Sequence, residues 1–157
     1  MLMYRPNVCI VITNQKQTEV LMFHRMGVVE HGWQFPQGGV DSGETEEEAF
    51  FRELKEEIGT NDVKLLKVSE NHVRYKFPQW VLDQWALRKG KKKKYSGQEQ
   101  RWYLVRLNQG VEAISFDAHP AEFDAYEWVA TENALERIIP FKRDAYQQGL
   151  KLLGMLD

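Results

Sequence analysis

Apolar residues fall along this chain in two rhythms. From Val8 to Thr13 they run without a polar break and are mostly β-branched (Val-Cys-Ile-Val-Ile-Thr), which predicts a buried strand. Glu19 to Arg25 follows a polar turn as the hairpin partner of that strand. Trp33-Gln-Phe-Pro-Gln-Gly-Gly39 and Asp41-Ser42-Gly43 are turn chemistry, and they lead into a helix from about Thr45 to Ile58. Thr45 and Glu48 form a capping-box pair at its start, and Gly59 marks its stop. Val63 to Phe77 is strand-rich, as a hairpin or an extended crossing, and Gln100 to Leu107 and Ala125 to Val129 read as further strands. Pro78 to Gln98 is aromatic and then basic with no clear period, so a long loop or flap is expected there. Thr131 is placed to cap a short helix that Pro140 interrupts, and Phe141 to Leu153 makes a last amphipathic helix through Ala145, Tyr146, Leu150 and Leu153. Helices are too few for a doubly wound parallel sheet, so the expected class is α/β with a mixed sheet flanked by helices.

Composition keeps that picture within one ordinary globular domain covering residues 1–157: 43% of residues are hydrophobic and 28% charged. No apolar run approaches the roughly 20 residues needed to span a bilayer. Neither a signal nor a transit peptide is evident before Pro6, so a cytoplasmic protein is expected. Cys9, the single cysteine, lies inside the first apolar run and is expected to pack as a small apolar group. The four histidines show no metal-ligand spacing, and no Gly-Lys-Ser/Thr phosphate loop is present. Trp33, Trp102 and Trp128 are read as core.

Charge is unevenly spread. The net charge is −2, yet six of the seven residues from Arg88 to Lys94 are basic, as a groove that tracks nucleic acid or a solvated loop would be. The opposite focus lies between Asp41 and Glu57, with eight carboxylates against Arg52 and Lys55. On a helical wheel Phe50, Phe51, Leu54 and Ile58 form a docking stripe, while Glu53, Glu56 and Glu57 converge beside the small Ala49, which leaves space for a ligand. Carboxylates so spaced repel one another, and a hard divalent cation reverses the sign. The Gly38-Gly39 turn can offer a backbone carbonyl to the same metal.

The stretch Gly38 to Thr60, GGVDSGETEEEAFFRELKEEIGT, resembles the Nudix box: Gly38, Glu44, Arg52, Glu53, Leu54, Glu56, Glu57 and Gly59 match in register, and only Thr60 stands where the family has an aliphatic residue. The resemblance implies a Nudix fold, an α/β/α sandwich around a mixed β-sheet, and a hydrolase that needs Mg²⁺, or Mn²⁺ or another divalent cation in its place. It implies metal ligands at Glu53 and Glu57 with Glu56 bridging or nearby and the Gly38 carbonyl alongside. Arg52 would orient the carboxylates, and Glu53 or Glu56 would act as base.

A wider set of residues is similar to the bacterial RNA 5′-pyrophosphohydrolase branch of the family: Tyr4 to Val8, Trp33 to Gly39, Arg74 to Lys76, Gly97-Gln98, Gln100, Trp102, Glu122 to Asp124, Trp128-Val129 and Phe141 to Asp144. Carried over by residue, Glu122 would be a further metal ligand or base and Arg5 a phosphate contact. Arg25 and Phe141 would sandwich the first base of the RNA, and Lys142 would meet backbone or triphosphate charge. His24 stands where such enzymes often carry another arginine. The activity so implied is conversion of triphosphorylated or diphosphorylated 5′ ends of RNA to monophosphate, which favours mRNA decay. The alternatives are hydrolysis of dinucleoside polyphosphates such as diadenosine tetraphosphate, or a silent module that binds RNA or nucleotide.

Overall fold

The computed structural model describes residues 3–89, 95–117 and 121–157. Strand β1 (Tyr4–Ile12) lies at the centre of a five-stranded mixed sheet. One edge pairs in parallel with β7 (Gly97–Leu107), from Tyr4 opposite Gly97 to Ile12 opposite Val105. The other pairs antiparallel with the short β4 (Gln37–Gly39). Strands β5 (Val63–Val68) and β6 (Val73–Lys76) both lie antiparallel on the far edge of β7, end to end. A second, antiparallel sheet has the order β3 (Trp33–Gln34), β2 (Glu19–Arg25), β8 (Phe123–Ala130).

Alternation along β1 and β2 divides the core into two layers, because successive strand side chains point to opposite faces. Val8, Ile10, Ile12, Leu21 and Phe23 pack beneath helix α1 (Glu46–Ile58) with Phe50, Leu54 and Ile58. Cys9, Val11, Val20 and Met22 pack on the other side with Trp102 and with Tyr146 and Leu150 of helix α3 (Arg143–Leu152). Both faces of the sheet are thus covered, which is why the apolar run at Val8 has no polar break. Cys9 is fully buried, as a small apolar group in that position should be. Trp102 is core; Trp33 and Trp128 pack only partly buried against it.

Four expectations are corrected. The corner after β1 exists, with the Asn14 N–H donating to the Glu19 carbonyl at 3.4 Å, but β1 and β2 are not hairpin partners. Only Thr13 and Val20 bridge, and each strand enters a different sheet because both are apolar on both faces and each fills a sheet centre. The segment after Pro78 is not a loop throughout: Gln79–Lys89 forms helix α2, which has almost no one-sided apolar face to betray it. The rest of the basic run, residues 90–94, lies outside the described residues, as does His119. Thr131 caps nothing; its hydroxyl donates to the Thr18 carbonyl at 3.1 Å, and Thr131–Arg137 and Pro140–Lys142 are 3₁₀ turns. On α1, Ala49 is fully buried and leaves no ligand space, whereas Phe51 of the expected stripe is 38% exposed.

Candidate active site

Local sequence fixes where α1 begins and ends. The Thr45 hydroxyl accepts from the Glu48 N–H at 3.1 Å while the Thr45 N–H donates to the Glu48 carboxylate at 2.9 Å, completing the capping box. Gly59 closes the helix with φ of 80°, a left-handed conformation that a side chain would strain. Phe50 stacks on Tyr103 with centroids 4.4 Å apart, which sets the helix rotation. Glu53 is thereby turned toward the Gly38-Gly39 strand.

Arg52 ties that strand to the helix. Its guanidinium donates to both oxygens of Glu44 at 2.7 and 2.9 Å, to Glu53 at 2.8 Å, to Glu56 at 3.2 Å and to the Gly39 carbonyl at 2.8 Å. Hydrogen bonds from Arg52 and from the Asp41 N–H hold the Glu44 carboxyl down to about 2, so this anchor stays ionised. Glu44 matched the sequence pattern, but its role as the fork that seats Arg52 is visible only in three dimensions.

Glu57 is the anomaly. It is 7% exposed, and neither carboxylate oxygen has a hydrogen-bond partner. Burial pushes its carboxyl well up, and Glu53 and Glu122 facing it push further. Burial also raises Glu53, against the pull of Arg52. Gly38 lies so close that a Cβ there would collide with the Glu53 carboxylate, and a Cβ at Gly39 would collide with the Arg5 guanidinium. Glu56 is thus exposed, whereas Glu53 and Glu57 are sunk into the site.

The cationic residues lie alongside. Lys142 precedes α3 and its Nζ is 5.8 Å from the Phe141 ring centroid. Burial pulls its pKa down to about 8, helped by the Arg25 charge and opposed by Cys9 and Glu57, so Lys142 feels both the carboxylates and Arg25. Arg25 is exposed at the end of β2, beside a register shift that follows His24. His24 is engaged elsewhere, its Nδ1 being 2.7 Å from Asp124. Glu53, Glu56, Glu57, Glu122, Arg52, Gly38 and Arg5 are thus drawn around one end of the sheet, with Lys142, Phe141 and Arg25 beyond.

Sequence reasoning missed the buried polar ladder that supports this side. Tyr75 donates to Gln98 at 2.6 Å, Gln100 donates to Asn7 at 3.0 Å and to Gln98 at 3.4 Å, and the Trp102 indole donates to Gln100 at 3.2 Å. The available signal was three uncharged amides, Asn7, Gln98 and Gln100, where strands run on into apolar segments.

The NUDIX domain model matches residues 3–149. The chain belongs to the Nudix family. Among curated relatives, the RNA pyrophosphohydrolase of Tolumonas auensis is 43% identical over 152 residues, 94% of this chain and 83% of the relative. That of Saccharophagus degradans is 42% identical over 154 residues, 96% and 86% respectively. Among solved structures, the E. coli dihydroneopterin triphosphate pyrophosphohydrolase superposes with a TM-score of 0.67 at 21% identity, covering 95% of this chain and 99% of that one. A C. elegans Ap4A hydrolase complex gives 0.60 at 19%, covering 96% and 93%. At those identities the structures bear out the Nudix fold, two helical layers around β-sheets, and no more. Among the described residues no helix is long and apolar enough to cross a membrane.

Nudix hydrolases generally use divalent cations, and the residues present fit one. A buried carboxylate with both oxygens unpartnered, facing two further carboxylates, is a hard oxygen donor set whose repulsion a cation relieves. Among the described residues no three His, Cys, Asp or Glu side chains are already closed into a cage; Glu53 and Glu56 are turned onto Arg52 instead.

Proposed function

We propose that this chain is an RNA pyrophosphohydrolase that converts triphosphorylated 5′ ends of RNA to monophosphate, acting in the cytoplasm through a single Nudix domain spanning residues 1–157. The observation that carries the reading is Lys142, a half-buried cation between two chemistries: its charge couples to Glu57 on one side and to Arg25 on the other, and its Nζ lies 5.8 Å from the Phe141 ring centroid. Carboxylates for a metal and cations with an aromatic ring for a 5′ nucleotide thus adjoin. The relatives named RNA pyrophosphohydrolase support the same substrate.

In this mechanism Glu53, Glu57 and Glu122, with Glu56 and the Gly38 carbonyl, would hold Mg²⁺ or Mn²⁺. Bound there, the cation neutralises the polyphosphate and lowers the pKa of water. Water adds to phosphorus, the P–O bond of the anhydride breaks, and pyrophosphate leaves with the bridging oxygen. The proton of the water passes to Glu53 or Glu56, both of which lie within the Arg52 network. One guanidinium nitrogen of Arg52 bridges Glu53 and Glu56, and the other two anchor the group to Glu44. Arg5, across Gly39, and Lys142 hold phosphate oxygens, and Arg25 and Phe141 clasp the first base.

The test is purified protein with Mg²⁺ or Mn²⁺ given triphosphorylated RNA and diadenosine tetraphosphate in parallel. Pyrophosphate release from RNA with the higher kcat/KM is the expected result. Faster cleavage of the dinucleotide would assign the enzyme to dinucleoside polyphosphates, and binding without turnover of either would make it a silent module.

A further inference from the structure

At the end of β1 and β7 remote from Arg5 and Gly97 lies a pocket of about 430 Å³, whose wall includes Thr13, Asn14, Arg106, Asn108 and Trp128. Thr13 follows Arg5 by eight residues of extended chain, roughly 26 Å. The volume is that of a site for one small molecule. Its rim is fixed by bonds of its own: the Asn14 side-chain carbonyl accepts from the Thr18 and Glu19 N–H groups at 2.9 and 3.0 Å, and the Asn108 amide donates to Asp62 at 2.8 Å.

Within this wall one cation is left over. Arg52, Arg74, Arg101 and Arg137 each pair with a glutamate. Half-buried Arg106 has no hydrogen bond or ion pair among the described residues, a condition it shares with Arg5 and Arg25 at the substrate site. The carboxylate of the rim, Asp62, is taken by the amides of Asn108 and Gln109 instead. Directly across from Arg106 on β5 stands Lys64, a like charge that destabilises the pair. A phosphate relieves both conditions, since it matches the guanidinium fork and neutralises its neighbour. Trp128 supplies the apolar part: it is half-buried, and no other ring of the described residues packs on it.

We propose that this pocket binds a nucleoside monophosphate, with the phosphate on Arg106 and the base against Trp128, as a site separate from the one that hydrolyses substrate.

The experiment is calorimetric titration of the purified protein with adenosine 5′-monophosphate or with inorganic phosphate. Because the nucleotide can also enter the substrate site, Arg25→Ala is the starting protein, and Arg106→Gln or Trp128→Leu is added to it. The starting protein should bind one nucleotide per chain, with inorganic phosphate at least about 10-fold weaker. Arg106→Gln should lower the affinity roughly 10- to 150-fold, the scale of a hydrogen bond to a charged group, and Trp128→Leu by about 5-fold or more, the lower end for a base on an aromatic ring. Arg106→Met, which keeps the apolar stem, replaces the glutamine variant if that one unfolds. An affinity indifferent to loss of the Arg106 charge, or binding already abolished by Arg25→Ala, refutes the pocket and leaves the nucleotide in the substrate site alone. Inorganic phosphate binding as tightly as the nucleotide overturns the nucleoside assignment.

Discussion

Two side chains carry most of the electrostatic tension at the site. Glu57 has both oxygens buried and unpartnered, a condition that costs about 1 to 3 kcal/mol or more for a charged group. Its expected role as a metal ligand is checked by Glu57→Ala and Glu53→Ala: each should lower kcat by about 10² to 10³, the scale of about 2.7 to 4 kcal/mol of transition-state stabilisation, with circular dichroism unchanged. Near-native rates in both would remove the metal assignment. Lys142 gives a pH signature. Its pKa falls from 10.5 to about 8, chiefly because burial disfavours the ammonium. The charged form holds phosphate, so KM for RNA should rise as pH climbs through about 8, and Lys142→Arg, permanently charged, should flatten that rise. Folding runs the other way: the folded protein releases this proton before the unfolded chain does, so stability should increase between pH 8 and 10.5. A KM profile unchanged by Lys142→Arg would sink the phosphate role.

Helix α1 shows what makes an element readable. Thr45, Glu48 and Gly59 are chemical punctuation, and their bonds appear as the sequence implied. Thr45→Ala should therefore destabilise by about 1 kcal/mol, within a range of roughly 0.5 to 2, measured by urea unfolding, and an unchanged midpoint would mean that α1 is held by packing alone. Other elements lacked such marks. α2 carries Trp80 and Leu87 exposed with Val81 buried, so no apolar period announced it. The separation of β1 from β2 was illegible because strand partners are chosen by edges elsewhere in the chain, and the apolar run of each fits any sheet centre. At the site, Gly38, Glu53, Glu56 and Glu57 were legible as a motif, but the burial of Glu57 and its coupling to Glu122 and Lys142 were not, since those two arrive from distant segments.

For the molecule as a whole, a site that concentrates repulsion couples folding to its cation. Mg²⁺ bound only to the folded form at 100 times its dissociation constant should add about 2.7 kcal/mol of stability. Glu57→Gln should remove most of that increment while raising the metal-free unfolding free energy by on the order of 1 kcal/mol, because the buried charge is gone. A native protein whose melting temperature ignores Mg²⁺ would contradict this. The parallel pairing of β1 with β7 has a different consequence, in time. Tyr4 meets Gly97 and Ile12 meets Val105, so a chain emerging from the ribosome at roughly 5 to 20 residues per second waits on the order of 5 to 20 s between making the first strand and making its neighbour. Throughout that interval the stickiest segment of the protein, Val8 to Ile12, has no long partner, and the waiting polypeptide is a client for chaperones that cover nascent apolar strands.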